Sequence, residues 1–222
     1  MTREPFLRTR AGRVALLAML LIDVFVIPVL LTLDVMPVRV GDLFFAVTML
    51  VAMTAMGTGK GRRLVLTVAL AAFAVQFLRF VDEGHLLVIL DASLSALALG
   101  TFAAMVLVDV FRQDPMADRL IDVILAYLLV GAMFAFVYEA INLALPGSIS
   151  LDGGRMTAAG YAYFSFTTMT SVGFGDALPM SPVSRAVAMG QALTGQLYVA
   201  VLIARFANPL RRAAQRPDGD AG

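Results

Sequence analysis

The residues whose types and spacing could do chemistry lie in one run, Thr167-Thr168-Met169-Thr170-Ser171-Val172-Gly173-Phe174-Gly175-Asp176. Its glycines alternate with residues that carry side chains. Gly173 and Gly175 can take positive φ at little steric cost. The pattern therefore suits an extended strand that alternates between left- and right-handed backbone, with consecutive carbonyls turned to one side. A row of such carbonyls replaces the hydration shell of a potassium ion. The rival reading is a glycine-containing turn between helices, and the flanking segments weigh against it. Little else competes. With no cysteine there is no thiol chemistry or Cys-based metal site, and a single histidine, His85, leaves little for imidazole work. Gly57-Thr58-Gly59-Lys60-Gly61 hints at a phosphate loop, but it lacks the Gly-x-x-x-x-Gly-Lys-Ser/Thr spacing and follows an apolar segment rather than a strand. It reads as a basic turn. No nucleophile–base pair is visible, so the sequence predicts no enzyme.

The elements around this run are apolar. Of 222 residues, 60% are hydrophobic, and mean hydropathy is +0.86, far above the usual globular share. Crossing a ~30 Å hydrocarbon core takes about 20 helical residues. Six segments qualify as spans: Val14–Leu33, Val38–Met56, Leu64–Phe80, Leu86–Val108, Ile121–Leu145 and Val183–Leu210. The second is the weakest, because Arg39, Gly41 and Asp42 leave only Leu43–Met56 clean. The first follows Arg3, Arg8, Arg10 and Arg13. Its apolar run is longer than a secretory h-region and no small-residue cleavage site follows, so it reads as a retained helix.

The loops test this count. Alternating from a cytoplasmic N-terminus puts the four N-terminal arginines, Lys60, Arg62, Arg63, Arg112, Arg119, Arg205, Arg211, Arg212 and Arg216 inside. Only Arg39, Arg79, Arg155 and Arg185 fall outside or near the outer ends, as the positive-inside rule demands. Both termini are expected in the cytoplasm of a multi-pass inner-membrane protein. The net charge of +1 gives no overall field for nucleic acid. Abundant Ala and Arg with a single Lys fit a bacterial source.

Helix starts are legible in the second half. Asp114-Pro115 and Ser181-Pro182 each read as an N-cap followed by Pro at the first helical position. Between these two helices, Pro146-Gly147-Ser148 and Asp152-Gly153-Gly154 mark an outer loop. Thr157–Met169 is then a short apolar stretch in the range of a re-entrant helix. The order is helix, outer loop, half-helix, glycine strand, helix. Non-helical backbone at membrane depth is tolerated only where it lines a cavity or is buried in protein.

These features resemble the pore domain of the potassium-channel superfamily, whose filter is usually written Thr-Val-Gly-Tyr-Gly-Asp, here Ser-Val-Gly-Phe-Gly-Asp. The resemblance covers about Ile121 to Arg212. It implies that the carbonyls of Ser171, Val172, Gly173 and Phe174, with the Ser171 hydroxyl, coordinate potassium as the permeant ion. Thr157–Met169 would be the pore helix, its negative end toward the ion path. Thr167, Thr170 and Gly175 would flank and support the filter, and Asp176 would brace its outer mouth. Tyr163 and Phe164 stand where the family has bulky aromatics. Phe174 replaces the usual Tyr and loses a hydroxyl. Ser171 replaces Thr and loses a methyl. Ser-Val-Gly-Phe-Gly is similar to the filter of the ether-à-go-go-related channels. Thr167 stands where some bacterial channels have a Glu that pairs with the aspartate.

In the last helix, Gly195 lies near the hinge-glycine spacing of bacterial channels, and Gly190 is a second candidate. Close helix packing explains either glycine equally well. Gln196, Val199 and Ile203 recur at helical spacing and could line a cavity below the filter. One chain supplies one filter strand, so a ring of carbonyls needs a homotetramer in the lipid bilayer, with no small-molecule substrate.

The expected fold is therefore an all-α membrane protein with six transmembrane helices and a re-entrant pore helix and filter between the fifth and sixth. Residues 1–113 form a four-helix domain, 114–210 the pore, and 211–222 a short cytoplasmic tail. The fourth span carries no Arg or Lys, only Asp91, so steep voltage dependence has no evident source. Asp23, Asp91 and Glu139 are intramembrane candidates by default. Either aspartate could pair with Arg79, and Glu139 could face the back of the pore helix. His85 reads as a loop residue. The expected function is a potassium-selective channel. A non-selective cation pore, the membrane subunit of a potassium transporter and a non-conducting regulatory subunit are the alternatives.

Overall fold

The computed structural model describes residues 10–33, 35–54, 60–79, 84–112 and 120–214. Its elements run α1 (Arg10–Leu21), a π-helical turn (Ile22–Val26), α2 (Ile27–Thr32), α3 (Val38–Thr54), α4 (Lys60–Arg79), α5 (His85–Arg112) and α6 (Leu120–Ala144). There follow β1 (Ile149–Leu151), α7 (Ala158–Met169), β2 (Ala177–Pro179) and α8 (Pro182–Ala214). Arg3, Arg8, Gly57 to Gly59, Asp114-Pro115 and the tail from 215 lie outside the described residues.

The π turn has a local cause. Pro28 cannot donate to the carbonyl of Val24, and its ring would crowd that turn. Widening the helix just before it relieves the conflict, and Asp23 sits inside the widened turn.

Among the described residues, four helices are long and apolar enough to cross a membrane: Ala11–Thr32, His85–Val110, Leu120–Ala144 and Pro182–Arg205. The second and third expected spans correspond to α3 and α4, helical over Val38–Thr54 and Lys60–Arg79. His85, read as a loop residue, is the first residue of α5; the helix begins one residue earlier than the apolar run.

The core joins the two halves. Leu99, Phe102 and Ala103 of α5 pack on Leu125 and Leu129 of α6, with Leu16 and Leu20 of α1 beside them. Arg13 pairs with Asp122 at 2.9 Å, tying α1 to the start of α6. The outer loop is not all turn, as the helical reading had it. β1 and β2 pair antiparallel, with Ile149 opposite Pro179 and Leu151 opposite Ala177. The ladder continues through Asp152 N–H to the Asp176 carbonyl at 2.7 Å, so it ties the loop to the end of the glycine run.

Ser181 caps α8. Its Oγ accepts the Ser184 N–H at 3.1 Å while Ser184 Oγ accepts the Ser181 N–H at 3.1 Å, a reciprocal box made with serine at the third helical position. Ser184 Oγ also reaches the Ser148 carbonyl at 2.7 Å. The cap thus fastens α8 to the outer loop.

Candidate functional site

The glycine run is held at its base by α7. Thr157 starts this helix, its hydroxyl accepting the Gly160 N–H at 3.3 Å. The helix closes at Met169, and the chain then turns sharply. The Thr167 carbonyl accepts both the Val172 N–H at 3.0 Å and the Gly173 N–H at 3.2 Å, so two amides of the run fold back onto the helix end. The Thr167 hydroxyl stays within the helix, donating to the Tyr163 and Phe164 carbonyls. Thr170 is exposed and donates to the Phe166 carbonyl at 2.7 Å.

Beyond that point the backbone alternates. Ser171, Gly173 and Gly175 take φ of 59°, 47° and 87°, with Val172 and Phe174 between them. The left-handed Ser171 is a serine where glycine would be free, a cost of about 1–2 kcal/mol. Sequence reasoning found the two glycines and missed this third position. Among the described residues, no hydrogen bond ends on the carbonyls of Ser171, Val172, Gly173 or Phe174. Unpaired carbonyls in this number need a partner other than the chain itself.

Side chains pin the run at three places. At the base, Gln196 of α8 donates its amide to Ser171 Oγ at 2.8 Å. Gln196, expected as a cavity-lining residue, is thus in direct contact with the first residue of the run. At the top, the Tyr163 hydroxyl donates to the Asp176 carboxylate, 2.8 Å from each oxygen. Asp176 also accepts the Ala177 N–H at 3.0 Å. Along the side, the Tyr163 ring stacks on Phe174, centroids 6.2 Å apart and planes within 7°. The hydroxyl that Phe174 lacks is supplied from the other direction by Tyr163. We expect Tyr163→Phe to leave flux present at first and make it decay at least threefold faster, read as tracer uptake over time in liposomes, because Asp176 loses its link to α7.

Behind the run lies a buried polar chain that sequence reasoning missed. The Tyr138 hydroxyl donates to Gln191 Oε1 at 2.6 Å. Gln191 Nε2 donates to the Ser165 carbonyl at 3.0 Å and to Ser165 Oγ at 2.7 Å. Ser165 Oγ in turn donates to the Gly131 carbonyl at 2.6 Å. Tyr138, Ser165 and Gln191 are fully buried, and together they bolt α6, α7 and α8. An amide and a serine inside apolar helices were the available signal. Phe164 completes this layer, packed edge-on against Tyr138 at 4.7 Å.

The two glycines of α8 separate. A Cβ on Gly195 would lie 2.0 Å from the Met169 carbonyl oxygen, whereas one on Gly190 would meet nothing within 4 Å. Gly195 is a close-approach position. Val199 and Ile203 stay exposed at 46% and 64%, on a face of α8 that none of the described residues covers. Val172 and Phe174 are likewise exposed, Phe174 at 71%.

Of the intramembrane charges, Asp91 pairs with Arg79. Asp23 and Glu139 line the same cavity as that pair, together with Ala158, Ala159 and Tyr161 of α7, so Glu139 does face the back of that helix. Among the described residues, no group of three or more His, Cys, Asp or Glu is arranged to hold a metal.

Residues 122–212 match the model of a family described as an ion channel. The match takes in α6, the outer loop, α7, the glycine run and α8. No curated protein and no solved structure matches the chain.

Proposed function

We propose that this ion-channel pore domain conducts potassium selectively as the centre of a homotetramer. The observation that carries the reading is the alternating left-handed backbone at Ser171, Gly173 and Gly175, with four consecutive carbonyls that accept no hydrogen bond among the described residues. Such carbonyls stand in for the water of a dehydrated cation. Ser171, Val172, Gly173 and Phe174 are the coordinating residues. The C-terminal end of α7, where backbone dipoles leave partial negative charge, favours a cation on the path just below them. Tyr163, Phe164, Thr167, Thr170, Gly175 and Asp176 hold the filter's shape.

The tetramer is supported by what one chain leaves open. Val172, Phe174, Met189, Leu193 and Ile203 are all exposed, and a single filter strand encloses nothing. Closed rotational symmetry brings four strands around one axis. Gln196, Val199 and Ile203 then face the space below the filter. We assign residues 114–210 to the pore and 1–113 to a peripheral domain. Its helices α3 and α4, added to the four long apolar ones, give six spans with both termini cytoplasmic, the arrangement favoured by the basic loops. With no Arg or Lys in the fourth span, conductance varies little with voltage.

The test is ion flux into liposomes holding the purified protein, with potassium and sodium gradients compared. Potassium flux at least tenfold above sodium, blocked by barium and abolished by Gly173→Asp, is the expected result. Equal fluxes would replace this reading with a non-selective cation pore. A verified tetramer that passes neither ion under any applied potential would replace it with an accessory subunit.

A further inference from the structure

We propose that the cavity behind the first two turns of α7 is a binding site for a small apolar ammonium, a cation about the size of benzylammonium. The cavity measures about 190 Å³ and lies between the N-terminal helices and the α6–α7 pair. An apolar protein cavity of roughly 150 Å³ takes up benzene, so one ring bearing a short charged arm matches the volume. Leu20, Ile27, Phe45 and Phe136 supply apolar walls for the ring.

The polar lining selects the charge. Asp23, Asp91 and Glu139 face a single guanidinium, that of Arg79, with Gln76 beside it. The first turn of α7 adds only a partial positive charge, so the lining carries an excess of acceptors. Asp91 is 5% exposed. One of its oxygens receives Arg79, and the other, Oδ1, is buried and has no hydrogen-bond partner among the described residues. Asp23 Oδ2 is left in the same condition. A buried carboxylate oxygen without a donor is unfavourable, and an ammonium brings three donors and no acceptor. An anion would meet three carboxylates. A hard metal ion would want six or more oxygens and no aromatic wall. An apolar body with a cationic head uses both halves of the lining.

The site stands apart from the conduction path and does not rest on its selectivity. It does reach the pore, because Ala159, Ala162 and Phe166 of α7 form part of its wall.

The experiment is fluorine NMR of 4-fluorobenzylammonium added to the full chain in lipid nanodiscs. We expect line broadening that saturates and is reversed by excess unlabelled benzylammonium, with 4-fluorobenzyl alcohol binding at least tenfold more weakly. Asp91→Asn and Asp23→Asn should each weaken the ammonium at least tenfold while leaving the alcohol unchanged. Ala159→Leu, which narrows the cavity without touching charge, should weaken both. If Asp91→Asn fails to fold, Asp23→Asn and Ala159→Leu carry the same test. Broadening that unlabelled benzylammonium does not reverse, equal affinity for ammonium and alcohol, or ammonium binding unchanged in Asp23→Asn and Ala159→Leu would each overturn the proposal.

Discussion

Gly195→Ala is expected to abolish ion flux and to lower the thermal stability of the assembled protein, whereas Gly190→Ala leaves the fold of the chain intact. The difference follows from one contact. A methyl group at 195 would sit 2.0 Å from the Met169 carbonyl oxygen and 3.0 Å from its carbon, against roughly 3.4 Å or more for ordinary contact. Overpacking that flexible side chains can absorb costs about 1–3 kcal/mol. Here the obstacle is backbone at the closing turn of α7, so α8 itself must back away by more than an ångström. That movement cannot stay local, because the neighbouring Gln196 holds Ser171 Oγ at 2.8 Å, and Ser171 opens the left-handed glycine run. A hinge glycine, by contrast, acts through bending and would tolerate a small side chain in the closed state. Melting temperature and potassium flux measured on both variants separate the two roles. Gly195→Ala with normal stability and flux would remove the close-approach reading.

The parts of this architecture that could be read from sequence are those where one residue type has one physical use. Gly173 and Gly175 are the residues that accept left-handed backbone, so their alternation with Val172 and Phe174 pointed to the carbonyl row. Ser181-Pro182 marked the start of α8 because a hydroxyl acceptor and a missing N–H both suit a helix N-terminus. The length of α7 was legible from the polar flank at Thr157 and the glycines beyond Met169. Hydropathy also located the four long apolar helices.

Other features depend on partners distant in the chain. Ser171 takes positive φ with its N–H on the Thr168 carbonyl and its Oγ held by Gln196, and no property of serine announces that. The β1–β2 ladder is three residues on each strand, too short for an alternating pattern to stand out, and its register is set by Asp152 meeting Asp176. Gly195 could be read as hinge or packing, and only the position of the Met169 carbonyl decides it.

Gln191→Leu should be the most damaging change outside the filter itself, costing about 2–4 kcal/mol of stability by the loss of buried partners and abolishing flux. Leucine fills a similar volume, so packing is nearly conserved and the loss isolates the polar term. It strands the Tyr138 hydroxyl, which donates to Gln191 Oε1, and leaves the Ser165 carbonyl and hydroxyl oxygens without their donor. In a membrane neither water nor a neighbouring loop is available to replace these bonds. Tyr138→Phe alone strands a single acceptor and costs less. The double variant Tyr138→Phe, Gln191→Leu removes donor and acceptor together, so its cost falls below the sum of the two single changes. Measured couplings between hydrogen-bonded groups inside membrane proteins run near 0.6 kcal/mol and reach about 1.7. A full-sized coupling is expected here, since Tyr138, Ser165 and Gln191 are all excluded from solvent. The cycle also identifies what the network does for conduction. α7 carries the glycine run and packs on α6 and α8 through apolar contacts, such as Phe164 on Tyr138, Gly131 under Phe166 and Gly195 under Met169. Such contacts set distance without fixing rotation about the helix axis. The Tyr138–Gln191–Ser165 chain, with the Asn142–Tyr161 bond at 2.8 Å, supplies directional restraint, because hydrogen bonds, unlike apolar contacts, weaken steeply with angle. If the double variant recovers stability without recovering potassium selectivity, orientation of α7 is what the three residues contribute. Strictly additive single costs would show instead that they act as separate buried groups.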